Sequence, residues 1–362
     1  MFSQFTKLAL LLLACAAMVS VAMQAGHALA QSQPASGAKA STTSKAKPAS
    51  VKPKQQARKA KKKPARSKAK KNKSTRRAAA AETNQSRFAA LVVDANTGHV
   101  LYEKNAGDPR YPASLTKMMT LYLTFEALKT GRLRLDDAMP VSAKAAEQPQ
   151  TNISLDPGDR LHVRKAIESL VIRSANDASM VLAEALGETQ WNFALMMTRK
   201  ARQLGMKDTT FRNPHGLPDP QQVTTAYDMA RLGIALRRDF PEYYHYFSLR
   251  DFTYNGVNYT THNRVLGRVS GADGIKTGYI RASGFNLVTS VKRGNYNLVA
   301  VVMGGSSASA RDNTMVTMLD RTFAQLETKS QGLARPAETS QLNLEAMNDN
   351  SPPEQETAQG GR

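Results

Sequence analysis

The sequence predicts an α+β fold in which strands from both ends of the folded region share one antiparallel sheet. Two observations predict it. A pair of short, alternating apolar runs opens that region and a second pair nearly closes it, and the stretch between them repeats at helical spacing. The first pair, 88–94 and 99–104, flanks Ala95-Asn-Thr-Gly98, whose turn-forming residues make a hairpin. Tyr111-Pro-Ala113 leads into a run from Ser114 to Lys129. There Leu115, Met118, Met119, Leu121, Tyr122, Leu123, Phe125 and Leu128 leave no polar face, so this helix is expected to be buried on nearly every side. Helical spacing recurs over 163–173, 177–186, 191–204 and 224–238, with Gly187 and Gly205 placed as C-terminal stops. Runs 285–291 and 297–303 around Lys292-Arg-Gly-Asn295 form the second hairpin, and an amphipathic helix over 311–326 completes the pattern.

The ends of the 362-residue chain do not read as globular. Residues 1–30 begin with a basic start at Lys7, continue through an apolar run from Leu8 to Val21, and close on Ala28-Leu-Ala30, the layout of a secretory signal peptide cleaved before Gln31. Leu12-Leu-Ala-Cys15 faintly resembles a lipoprotein site, but apolar residues continue past Cys15. Cleavage after Ala30 would leave no thiol, which excludes disulfides and thiol catalysis. The net charge of +21 is concentrated next: residues 31–80 hold 17 Lys and Arg and no acid, whereas 81–362 carry 32 basic against 29 acidic residues. A Lys/Ala/Pro-rich segment with nothing apolar to bury cannot repay its ordering entropy, so 31–85 is expected to be a disordered linker and 328–362 a disordered polar tail. Its basic core, 39–77, is either a solvated spacer or an attachment to anionic envelope polymers or lipid headgroups. Nucleic acid is the weaker partner, because an exported chain does not meet it.

Three strings in the folded region, 86–327, carry chemistry: Ser114-Leu-Thr-Lys117, Ser174-Ala-Asn176 and Lys276-Thr-Gly278. Residues three apart on a helix share a face, which puts the Lys117 amine within reach of the Ser114 hydroxyl. A serine needs an adjacent base, and lysine serves only when its neutral form is accessible. Burial, the partial positive charge of a helix N-terminus and a second cation at Lys276 all push its pKa down. Ser174 and Asn176 follow a helix ending at Arg173 and suit a loop projecting into a cleft, where a hydroxyl can shuttle a proton and an amide can hold a peptide group. Lys276-Thr277-Gly278 precedes a strand-like run. Gly278 permits close backbone approach, and Lys276 with Thr277 can receive a carboxylate.

In that order the strings resemble the signature of penicillin-binding proteins and class A β-lactamases. Phe211-Arg-Asn-Pro-His-Gly-Leu-Pro218, Thr225-Ala-Tyr-Asp228, Gly274-Ile-Lys-Thr-Gly-Tyr279 and Ser283-Gly-Phe-Asn286 extend the resemblance to the D-alanyl-D-alanine carboxypeptidases, the low-molecular-mass penicillin-binding proteins, over about 86–326. The resemblance implies a five-stranded antiparallel sheet flanked by helices, with a mostly helical subdomain. It implies Ser114 as acylated nucleophile, Lys117 as its base, and Ser174 and Asn176 as the second catalytic pair. Lys276, Thr277, Gly278 and Tyr279 would bind substrate, the backbone N–H groups of Ser114 and Tyr279 forming the oxyanion hole. Arg264 and Arg311 fall where the family places carboxylate-side arginines. Substrate and inhibitor would be peptidoglycan stem peptides and covalently bound β-lactams, and the enzyme would be exported to the periplasm or cell envelope. Members with a further β-rich domain and a C-terminal amphipathic helix differ from this chain, whose polar tail offers no such anchor.

The leading expectation is therefore a serine-type DD-carboxypeptidase that removes terminal D-Ala. A DD-endopeptidase cutting crosslinks is the nearest alternative, and a sensor that stalls after one acylation is the non-catalytic one. A class A β-lactamase would require a deacylating Glu that Asn213-Pro-His215-Gly does not provide. No cofactor or metal is expected, since His27, His99, His162, His215, His245 and His262 show no ligand spacing. His215 reads as structural.

Overall fold

Both hairpins form, and their strands pair with each other although some 180 residues separate them. The computed structural model describes residues 87–330; the signal-peptide, basic-linker and most of the tail readings lie outside the described residues. Strands β1 (Ala89–Asp94), β2 (Val100–Lys104), β7 (Ala272–Ile280), β8 (Gly284–Arg293) and β9 (Tyr296–Gly305) make one antiparallel sheet in the order β2-β1-β9-β8-β7. β9 pairs with β1 from Ala89↔Met303 to Asp94↔Leu298, which joins the two ends of the folded region. β7 is left at an edge, with one side of its backbone free of the sheet ladder.

Alternation along the strands assigns each face. Phe88, Ala90 and Val92 pack with Leu287, Leu298 and Val302 under helix α7 (Ala308–Ser330), through its Met315, Met318, Leu319 and Phe323. That helix starts earlier and ends later than the predicted 311–326. Ala89, Leu91 and Val93 face the other way, into the larger core. There lie helices α1 (Lys117–Lys129), α3 (Val163–Ile172), α4 (Asn176–Gly187), α5 (Gln190–Gln203) and α6 (Ala226–Asp239), plus a short α2 (Ala143–Ala146) that periodicity did not reveal. Two small hairpins also went unpredicted: β3 (Ala138–Pro140) with β4 (Arg160–His162), and β5 (Asp251–Tyr254) with β6 (Val257–Thr260). Strands of three or four residues are too short to show a period.

Helix α1 is buried from Lys117 through Phe125, as its unbroken apolar sequence requires. The two expected glycine stops divide. Gly205 lies just past α5 with φ +76°, the left-handed conformation glycine adopts without strain. At the end of α4 that conformation falls on Glu188, φ +61°. Gly187 stays helical for another reason: a Cβ there would lie 2.8 Å from the Phe193 backbone nitrogen.

Candidate active site

Ser114 sits in one turn of 3₁₀ helix, Ala113–Thr116, and α1 begins only at Lys117. The expectation of a single α-helix from Ser114 is corrected in that first turn, with a useful consequence. At three residues per turn, positions i and i+3 eclipse, and Lys117 Nζ stands 3.3 Å from Ser114 Oγ. Ala113 before it has φ +49°, a costly conformation for a residue with a side chain. Two glycines hold this turn from outside. A Cβ on Gly216, φ +91°, would lie 1.9 Å from the Ala113 carbonyl oxygen, and one on Gly278 would lie 3.0 Å from the Ser114 nitrogen. Gly216→Ala is expected to lower the melting temperature and slow covalent labelling of Ser114. The strained φ alone costs about 1–3 kcal/mol, and the overlap must displace the backbone at Ala113 and Ser114. Unchanged labelling kinetics would show that the turn tolerates the shift.

Lys117 is fully buried, and its amine also touches Asn176 Oδ1 and the His215 carbonyl, each at 2.7 Å. A neutral amine has two N–H bonds, which these acceptors satisfy, leaving its lone pair for the Ser114 hydroxyl to donate into. Burial holds the Lys117 pKa well below the usual lysine range; Lys276 pushes it the same way and Asp177 opposes them. The Asp177 contribution was not foreseen from sequence. His215 contributes its carbonyl, while its imidazole is pushed down to about 3 by burial and by Lys117 and Lys144.

Ser174, φ +62°, links α3 to α4, and its hydroxyl is buried with no hydrogen-bond partner among the described residues. Asn176 is the first residue of α4 and not part of a projecting loop. Its amide is held at both ends, Oδ1 on Lys117 and Nδ2 donating to the Pro149 carbonyl at 2.7 Å.

Lys276, Thr277 and Gly278 lie within edge strand β7, not ahead of it. The periodicity was masked because Gly and a buried Lys interrupt the apolar alternation. Lys276 is buried, donates to the Thr277 carbonyl at 2.9 Å, and has its pKa pushed down to about 7 by burial and by Arg311. Tyr279 is 54% exposed, its ring centroid 4.2 Å from that of Phe285.

One cavity of about 590 Å³ unites these elements. Ser114, Ser174, Asn176 and the Thr277-Gly278-Tyr279 strip line it, with Lys117 and Lys276 just behind the wall. The two arginines reach it differently. Arg264 is exposed at the start of a 3₁₀ turn, Arg264–Gly267. Arg311 is buried and already occupied: Nε and Nη2 donate to Asp312 Oδ1 at 2.9 and 2.6 Å, and Nη1 to the Asn286 carbonyl at 3.2 Å. His262 also lines the cavity, and burial with Lys276, Arg173, Arg311 and Arg264 pushes it down to about 4. No Asp or Glu is among the lining residues, so the cavity presents hydroxyls, amides and positive charge. That combination suits acyl transfer from a substrate with a free carboxylate.

A family profile described as D-alanyl-D-alanine carboxypeptidase matches residues 74–307. The chain belongs to the D-alanyl-D-alanine carboxypeptidase family. It is 36% identical over 251 residues to D-alanyl-D-alanine carboxypeptidase DacF of Bacillus subtilis, covering 66% of this chain and 63% of that protein. The chain therefore spans just under two thirds of that relative's length. Among solved structures, penicillin-binding protein 5 from Haemophilus influenzae aligns with a TM-score of 0.64 at 35% identity, over 65% of this chain and 70% of that one. Penicillin-binding protein D2 from Listeria monocytogenes, in its ampicillin-bound form, aligns with a TM-score of 0.57 at 28% identity, over 65% and 96%. The carboxypeptidase family's sheet flanked by helices is the architecture found here.

Proposed function

We propose that this protein is a serine-type D-alanyl-D-alanine carboxypeptidase that removes the terminal D-Ala from peptidoglycan stem peptides. The observation that carries it is the Ser114–Lys117 pair: a buried amine, in contact with no carboxylate among the described residues, satisfied by two acceptors and 3.3 Å from a hydroxyl on a strained turn. Ser114 attacks the carbonyl of the penultimate D-Ala while its proton passes to Lys117. The N–H groups of Ser114 and Tyr279 stabilise the oxyanion. The Ser174 hydroxyl relays the proton to the departing D-Ala amine, and Asn176 keeps Lys117 in place. A water then hydrolyses the ester, with Lys117 again the base. Lys276, Thr277 and Gly278 bind the terminal carboxylate together with Arg264, and Arg311 adds charge from behind.

β-Lactams acylate the same serine in this reading, which the ampicillin-bound Listeria relative supports. Action on peptidoglycan places the protein in the cell envelope, which fits the export signal read at 1–30. Among the described residues no helix is long and apolar enough to cross a membrane. A cavity with positive charge and no lining acid favours a donor ending in a free carboxylate. The purified protein is expected to release D-Ala from pentapeptide monomers faster than it cleaves crosslinked dimers, with products identified by mass. Cleavage of dimers alone would make it an endopeptidase.

A further inference from the structure

A buried carboxylate beside the second string has no part in the mechanism above. Asp177 is fully buried on α4 and has no ion-pair partner among the described residues. Its hydrogen bonds go to backbone N–H groups: Oδ1 accepts from Ala178 at 2.8 Å, and Oδ2 from Ile153 at 3.0 Å and Leu155 at 3.3 Å. Only an ionised carboxylate accepts at both oxygens; an amide in its place would turn its NH₂ toward one set of these donors, so the charge is part of how the backbone is held.

Ile153 and Leu155 belong to a strap, residues 148–155, that returns along the start of α4. Thr151 accepts from the Asn176 nitrogen at 2.7 Å, and its hydroxyl donates to the Ser174 carbonyl at 2.8 Å. Gln150 and Thr151 line the cavity. The Pro149 carbonyl takes the Asn176 amide N–H, and that contact settles which way the amide points. Only the NH₂ group can face a carbonyl, so Oδ1 must face Lys117. A displaced strap would free the amide to turn its NH₂ toward the amine and leave Lys117 without that acceptor.

Resting on the acyl-enzyme reading above, we propose that Asp177 is a positioning residue for acylation: its carboxylate clamps the 148–155 strap onto α4, which orients Asn176 against Lys117. The charged groups bearing on Lys117 are Asp177 from α4 and Lys276 from β7; His215 faces it as a neutral ring. Asp177 is sensed in turn by Lys117 and by Tyr254 of β5. Burial pushes the Asp177 carboxyl up, and the Ala178, Ile153 and Leu155 donors draw it back.

The test is the rate of labelling of the full chain by a fluorescent penicillin across pH. Asp177→Asn is expected to slow labelling about tenfold at the optimum, as the amide keeps one accepting oxygen and turns its NH₂ toward the remaining backbone donors. The acid limb should also move to lower pH, because Lys117 loses a nearby negative charge and releases its proton more readily. Thr151→Val loosens the strap and keeps the charge, so it should slow labelling with the limb unmoved. A wild-type rate and limb in Asp177→Asn, with only the melting temperature reduced, would overturn the proposal. If that variant does not fold, a wild-type rate in Thr151→Val overturns it instead. Failure of the unsubstituted protein to label would count against the serine reading, a separable result.

Discussion

Ser114→Ala is expected to eliminate covalent labelling by penicillins and to reduce D-Ala release by about 10⁶-fold, the scale seen when a nucleophile that works as one unit with its base is removed. The fold should survive. The Ser114 side chain makes one long hydrogen bond, to Lys117 at 3.3 Å, so stability is expected within about 0.5 kcal/mol of the parent. Labelling, product release and thermal unfolding measured on one preparation separate the possibilities. Residual release at the parent rate from a folded Ser114→Ala protein would remove the serine from the mechanism.

Lys117→Met should be nearly as damaging, with acylation slowed about 10²–10⁴-fold for loss of a general base although Ser114 remains. Its effect on stability carries a second signature. The folded-state pKa of Lys117 lies well below that of an unfolded lysine, and Lys276 is pushed down to about 7. The unfolded chain therefore binds more protons through neutral pH, and stability rises with pH from the lowered folded values to the unfolded value of about 10.4. Each of these lysines destabilises the fold below that window and ceases to do so above it. Lys117→Met removes one contribution, so its melting temperature should change less than the parent's between pH 7 and pH 10. Parallel curves would mean that Lys117 keeps an ordinary lysine pKa, and the neutral-amine mechanism would fail with it.

The hairpins, the buried first helix and the order of helices were legible because each rests on a period within ten or fifteen residues. The three strings were legible because, taken together and in that order, they resemble the signature of a known family; taken singly, the first two are weak signals. The 3₁₀ turn under Ser114 was not, since α and 3₁₀ helices share their apolar spacing over four residues. Nor was the extent of the strand through Lys276-Thr-Gly278: the string read as lying just ahead of a strand-like run, and pairing with β8 is what puts it inside β7. Asp177 stood next to a recognised string, yet nothing local showed that Ile153 and Leu155 would come to it.

Chain order and residue type were enough to establish an α+β sheet built from distant hairpins and a serine paired with a lysine, for both follow from local spacing. Which partners complete that pair depended on contacts between segments 59 and 98 residues apart, from Lys117 to Asn176 and to the His215 carbonyl. A backbone carbonyl has no residue type to read, and an amine's pKa follows from what is packed around it, so both properties exist only once the chain has folded.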